Sequence, residues 1–361
     1  TSDGANITED VYNFPLLVRL DASVNSTLST EAKTKVSALF ESSMVDGSDL
    51  RFADSNGKPL RYEIESWNKE QKIAATWVAL DTIRGNTKSQ FIYIYTGKSD
   101  AHALSNGPAV FDTSLGYKGN WHLASATEMN DASYTANHGT GAFMNADNTV
   151  NGLIDGAVSF NGENQYVVTS QQFTNPQVFS LSLWFKTNVG GGKLIGFEDS
   201  VEGDSQDFDR HIYMGDSGRL YFGVFPLAPE SITPEDTAFL NYGDNPSDSS
   251  FPGIRRIVKS TEAYNDGAWH QVVSVLSPAG QYLYVDGKEV DANTKSTSAE
   301  ISNGYWRFGT GHLHSWNWGP TNPFFTGAID EARVMHLAVT AGWIKMNYET
   351  QKQGSTVLNV E

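Results

Sequence analysis

The 361-residue chain contains no cysteine. Disulfides, thiolate nucleophiles and Cys-ligated zinc or iron–sulfur centres are therefore excluded. This does not place the chain in the cytosol, because many exported bacterial proteins also lack Cys. Basic residues are scarce: 25 Lys and Arg stand against 42 Asp and Glu, a formal net charge of -17. Nucleic acid is excluded as a partner, since phosphate binding needs a concentrated basic surface. No apolar run approaches the roughly 18–20 residues of a membrane-spanning helix, so no span is expected in the chain. The motifs H-E-x-x-H and G-x-S-x-G and a phosphate-cradling glycine loop are missing too. The first residue is Thr1 rather than Met, which suits a chain whose export signal or anchor has been removed.

What is present is period-two hydrophobicity. Runs such as "FPLLVRL", "YEIESW", "TWVAL", "FIYIY", "SLSLWF", "RLYFGVF", "HQVVSVL" and "QYLYVDG" are short and bounded by Gly, Asn, Asp and Pro. This spacing predicts an all-β protein of two β-sandwich domains. "STEAKTKVSALF" predicts one helix from Ser29 to Phe40, capped by Ser29 or Thr30, and "TAGWIKMNYE" a second helical turn. The polar stretch "KSDAHALSNGP" carries no strand pattern and divides the chain into domains 1–107 and 108–361, each with its own core. A Pro/Asp/Ser-rich insertion runs from 226 to 256; irregular loops of that length tend to be functional or mobile.

In the first domain, "SDLRFADSNGKPLRYEIESW" reads as a hairpin. Glu63, Glu65 and Trp67 share one face of its second strand, either as a sugar subsite or as a solvated face with Glu63 paired to Arg51. Trp184 and Trp269 lie in strand patterns and read as core rings between two sheets. "VDGK" is an Asp-Gly hairpin turn.

The motifs "AVSFNGENQYVV", "FSLSLWFKT", "DGAWHQVVSVLSPAGQYLYVDGKEV" and "FTGAIDEARV" occur in that order. Together they resemble the laminin-G-like branch of the concanavalin A-type lectin/glucanase sandwiches, over roughly residues 110 to 350. The resemblance implies a jelly roll for the second domain. Phe14 to Gly97 in turn resembles an uncharacterised bacterial domain that often precedes laminin-G-like modules in envelope proteins, some fused to proton channels.

Three candidate sites follow. Asp330 interrupts an apolar strand, where a lone carboxylate costs stability unless paired. The resemblance implies a structural Ca²⁺ held by Asp330 with Asp131 and Asn137; the alternative is a surface Asp paired with Arg333. The acidic stretch "EDSVEGDSQDFDRHIYM" lacks EF-hand spacing. Its Asp207 and Asp209 are expected to position Arg210 and His211 towards a ligand, with Tyr213 on the face of His211, while Asp199, Glu202 and Asp204 are solvated. The loop "GHLHSWNWGPTNPFF" offers His312, His314, Trp316 and Trp318 for stacking and hydrogen bonding to sugar, unless one Trp caps the sandwich end.

The second domain lacks the E-x-D-x-x-E strand of glucanases of this sandwich. These features predict a non-catalytic, secreted or periplasmic bacterial protein that recognises a polysaccharide or other glycan, with calcium in a structural role. The alternative is a structural or sensory ectodomain of an envelope complex, contacting envelope or cell-surface proteins.

Overall fold

The computed structural model describes residues 5–226 and 255–360. The insertion expected at 226–256 lies, at 227–254, outside the described residues.

The N-terminal part is built from two three-stranded antiparallel sheets. In one, Ile73–Ile83 lies between Val11–Asp21 and Tyr62–Asn68; in the other, Arg51–Asp54 lies between Pro59–Leu60 and Ile92–Tyr95. A helix at Thr30–Ser42 starts where the Ser29 side chain accepts from the amide of Ala32, and it buries Ala32, Val36 and Phe40. Those positions recur every four residues, so one narrow stripe meets the core.

The second part is a sandwich of two eight-stranded antiparallel sheets. The first sheet runs in the order 288–293, 280–285, 269–277, 179–186, 326–335, 156–161 and 149–151, with Tyr117–Trp121 also paired to Thr326–Met335. The second runs 256–263, 219–224, 208–214, 193–198, 303–308, 166–169 and 139–142, with Phe173–Thr174 paired to Asn303–Phe308. Alternate residues such as Leu181, Leu183 and Phe185 face Ile212, Leu220, Phe222 and Trp306 across one apolar core. The turn at Asp286 and Gly287 has positive φ at both residues, as an Asp-Gly hairpin of this twist requires. The fold is thus mainly β with a concanavalin A-like jelly roll, and has short helices at Gly107–Val110 and Ala341–Gln351 besides the first.

Two expectations are corrected here. The parts do not keep separate cores: one cluster joins Phe14, Leu16, Val36, Phe40, Trp77 and Val78 to Trp184, Val273, Val275, Tyr284 and Met335. Trp184 accordingly does not lie between the sandwich sheets. It sits on the other face of its sheet, stacked on Tyr348 at 5.6 Å between centroids, and its Nε1 donates to Gln351 Oε1 at 2.7 Å. Trp269 packs partly buried against this same cluster.

The helix Ala341–Gln351 closes this seam. Thr340 caps it by accepting from the amide of Trp343, and the Trp343 ring meets Phe14 edge-on at 5.7 Å. Arg19 reaches across to donate to the carbonyls of Thr350, Gln351 and Leu153. Each large apolar side chain removed from water here contributes roughly 1.5–3 kcal/mol.

Candidate functional site

The outward side of the second sandwich sheet carries the aromatic loop. Along Phe208–Met214 and Arg219–Val224, Ile212, Met214, Leu220 and Phe222 point inward, which leaves His211, Tyr213, Tyr221 and Gly223 on the other face. Tyr213 and Tyr221 are register partners and stack at 5.1 Å, 13° apart. Residues 311–325 lie across this face. The Tyr213 hydroxyl donates to Asn317 O at 2.7 Å, Thr321 N donates to Asp216, and Lys193 N donates to Pro323 O.

Trp316 is only 5% exposed. It meets His211 edge-on at 4.9 Å and covers Gly223, where a Cβ would come within 2.3 Å of its ring. Trp318 is 49% exposed, lies nearly parallel to Tyr221 at 5.5 Å, and has Lys259 Nζ 4.1 Å from its ring centroid. Tyr221 and Lys259 are cross-strand partners. His314 is exposed, with its ring 6.1 Å from that of His312, which stacks on Phe208 at 4.4 Å.

Asp209 and Arg210 turn inward. The register slips between Phe197 and Ile195, Arg210 adopts φ 55°, and its side chain is buried. A bulge re-aims side chains in this way. The guanidinium donates to Pro176 O, Glu300 O, Ser302 Oγ and Asp209. Asp209 in turn accepts from the amides of Arg210, Phe225 and Glu300. The pair ties three loops together and is not aimed at a ligand. His211 is wholly buried, and its pKa is pushed well below the usual range by burial and then by Lys193. Lys193 forms a buried ion pair with Glu198, and burial lowers its pKa to about 8. Glu202, Asp204 and Asp207 are exposed, and Asp199 is half-buried.

The expected calcium trio is not brought together. Asp131 accepts from Asn120 N on the strand Tyr117–Trp121 and, within its own loop, from Ser133 N and Oγ, Thr135 Oγ1 and Asn137 N. Asn137 Oδ1 accepts from Gln171 N. Asp330 Oδ2 accepts instead from Leu153 N and Ile154 N. With these oxygens already bonded in two separate networks, the trio does not fit a shared calcium ion.

Asp330 belongs to a different cluster, in the seam between the two parts. The carboxylates of Glu63 and Glu65 from Tyr62–Asn68 meet His122, Asp330, Glu331 and Arg333 there. His122 Nδ1 lies 2.6 Å from Glu331 Oε1 and 3.5 Å from Glu65 Oε2, and its Nε2 lies 3.2 Å from Glu63 Oε2. Arg333 pairs with Glu331 at 2.6 Å, not with Asp330, and lies 4.6 Å over Trp77. Burial, the largest influence, pulls the His122 pKa down, but Glu331, Glu65 and Glu63 outweigh it and hold it well above the usual range. Burial pushes Glu65 and Asp330 well above the carboxylate range. Burial acts on Glu331 too, yet His122 and Arg333 together bring its pKa down. Glu65, His122 and Glu331 offer ligand atoms within 4.8 Å of one another, a grouping that could hold a metal ion.

Neither sequence reading of Glu63 and Glu65 describes this placement. Arg51 donates to Ser48 O, Leu50 O and His102 O instead of pairing with Glu63. His122 was not singled out at all. The available signal was "NWH" at the end of a strand, too short to stand out.

A family model described as the concanavalin A-like lectin/glucanases superfamily matches residues 160–345, just over half the chain, and the chain belongs to that superfamily. A domain of unknown function, DUF2341, matches residues 46–121. No curated protein matches. Among solved structures, the chain is similar to Domain 4 of AbnA, a GH43 extracellular arabinanase from Geobacillus stearothermophilus solved with arabinotriose. There identity is 15%, coverage is 63% of this chain and 96% of that one, and the TM-score is 0.42. It is also similar to the binding domain of Paraclostridial Mosquitocidal Protein 1, at 12% identity, 65% and 52% coverage and TM-score 0.44. The binding domain of Botulinum Neurotoxin DC, solved in complex with SialylT, matches at 14% identity, 66% and 52% coverage and TM-score 0.42. The chain thus spans about half the length of these two toxin domains. Among the described residues, no helix is long and apolar enough to cross a membrane.

Proposed function

We propose that the chain is a non-catalytic carbohydrate-recognition protein, secreted or periplasmic, that binds glycan at the outward face of the second sandwich sheet around Trp318. The observation that carries this reading is the half-exposed indole laid flat on the rigid Tyr221–Tyr213 stack. A ring held this way loses little entropy on binding and presents an apolar face to a sugar ring. Lys259 stands beside it as a polar partner for hydroxyls, and the exposed His314 of the same loop is a further candidate. Asp209, Arg210, His211, Tyr213 and Trp316 support the platform from beneath, as their burial and internal bonds suggest.

A glycan array on the full chain, followed by calorimetry on the best ligand, tests the proposal. Losing a stacking anchor typically costs about 2 kcal/mol or more, roughly thirtyfold in affinity. Trp318→Ala should therefore abolish detectable binding with an unchanged melting curve. Normal binding by that variant removes the site from this face.

One feature favours the envelope-ectodomain reading. Phe91, just before the edge strand Ile92–Tyr95, and Tyr93 and Tyr95 on it stand exposed in a row, each ring in contact with the next, an apolar edge of the kind that proteins usually cover.

A further inference from the structure

We propose that the seam between the two parts is a binding site for one transition-metal dication of the zinc class, held by Glu65, His122 and Glu331, which clamps the N-terminal part onto the sandwich.

The backbone supplies the first argument. Glu65 is the extra residue of a β-bulge, since Ile64 pairs with Thr76 and Ser66 with Ala75. Glu331 lies in another bulge, where Glu331 and Ala332 together oppose Leu183, and Glu331 adopts φ 50°. An unbroken strand would send Glu331 to the face opposite Asp330. The two bulges turn one carboxylate from each part towards the same point, at His122.

The second argument is how each ligand is held from behind. Trp77 Nε1 donates to Glu65 Oε2 at 2.6 Å, Arg333 to Glu331 Oε2 at 2.6 Å, and Glu63 Oε2 lies 3.2 Å from His122 Nε2. Carboxylate–histidine–metal relays are built with an outer contact of this kind, which would keep the proton on Nε2 while Nδ1, now 2.6 Å from Glu331 Oε1, turned to the metal. The third argument is an orphan. Glu65 Oε1 is buried without a hydrogen-bond partner, on a side chain 2% exposed, and Asp330 Oδ1 is likewise buried and unpartnered. A buried polar atom in this state needs an explanation, and a bound ion beside a ligand set supplies one.

Two carboxylates and one imidazole with ligand atoms within 4.8 Å of one another make a donor set of the kind that holds a dication. The imidazole donor selects zinc-class ions over calcium. His122 and Glu63, at 11% and 15% side-chain exposure, form the opening to solvent.

The full chain, stripped with chelator and titrated with Zn²⁺ by calorimetry, should bind one equivalent at micromolar Kd or tighter, and melt higher when loaded. Equimolar Ca²⁺ should not compete. Glu65→Gln, which keeps the side chain's shape, should weaken binding at least about tenfold and remove the thermal shift. Co²⁺ should give visible d–d bands in the wild type that are absent in His122→Asn, a readout independent of stability. Absent Zn²⁺ binding, equal binding in Glu65→Gln, or displacement by equimolar Ca²⁺ each overturns the proposal.

Discussion

Replacing Arg333 with Met isolates the electrostatic balance of the seam. The guanidinium is wholly buried, donates to Glu331 Oε2 at 2.6 Å and Asn347 Oδ1 at 2.9 Å, and lies over the rings of Trp77 and Phe111. Met fills most of its volume and covers the rings, so the lost quantity is charge. Removing one partner of a buried pair costs about 3–5 kcal/mol, because the other charge stays behind unpaired. We expect a loss of about 4 kcal/mol at pH 8, read from urea unfolding followed by tryptophan fluorescence with chelator present. The pH dependence has a definite sign. With Arg333 present, Glu331 has a lowered folded pKa. Without it the folded pKa rises, so the variant's native state holds the proton to higher pH than the wild type's, and its deficit grows as pH rises. The deficit should therefore be smaller at pH 5 than at pH 8. Adding Glu331→Gln should recover about 1 kcal/mol or more, since the stranded carboxylate is then gone. A loss below about 1 kcal/mol, or a larger one at pH 5, would refute this account.

Two further outcomes are expected. Gly223→Ala puts a methyl 2.3 Å from the Trp316 ring, which His211 backs, and should cost about 1–3 kcal/mol while altering the near-ultraviolet circular dichroism; an unchanged spectrum and stability would show that the loop yields freely. His336 has its pKa lowered to about 4 by burial, with Lys118 and Arg210 as smaller causes. The unfolded chain, near 6.5, binds the extra proton first, so stability should fall by at most about 3 kcal/mol as pH drops from 6.5 through 4. His336→Phe should flatten that slope in acid titrations monitored by circular dichroism, and an unaltered slope would assign it to other groups.

The jelly roll was legible because its signal is local. Alternation in "SLSLWF", the Asp-Gly turn and the two capped helices each specify structure within a few residues. The seam was not legible, for two physical reasons. Its strands are apolar on both faces, and alternation alone does not say which face meets which sheet, so Trp184 was assigned to the wrong one. Bulges then defeat the period-two rule, since one extra residue re-aims everything near it. Arg210, Glu65 and Glu331 all sit at such slips. In the aromatic loop, the pattern named both Trp316 and Trp318, and only packing on Gly223 and Tyr221 separates the buried ring from the exposed one.

The shared core changes what counts as an exchangeable module in this protein. The polar stretch after residue 98 looks like a natural place to cut, and a designer grafting the lectin-like part elsewhere would start there. Such a graft would carry Trp184, Val273, Val275, Tyr284 and Met335 without their cover, an apolar patch of the kind that drives association. It would also leave Asp330, Glu331 and Arg333 without Glu63 and Glu65. A working transplant has to move both parts together, along with the helix Ala341–Gln351 that closes them.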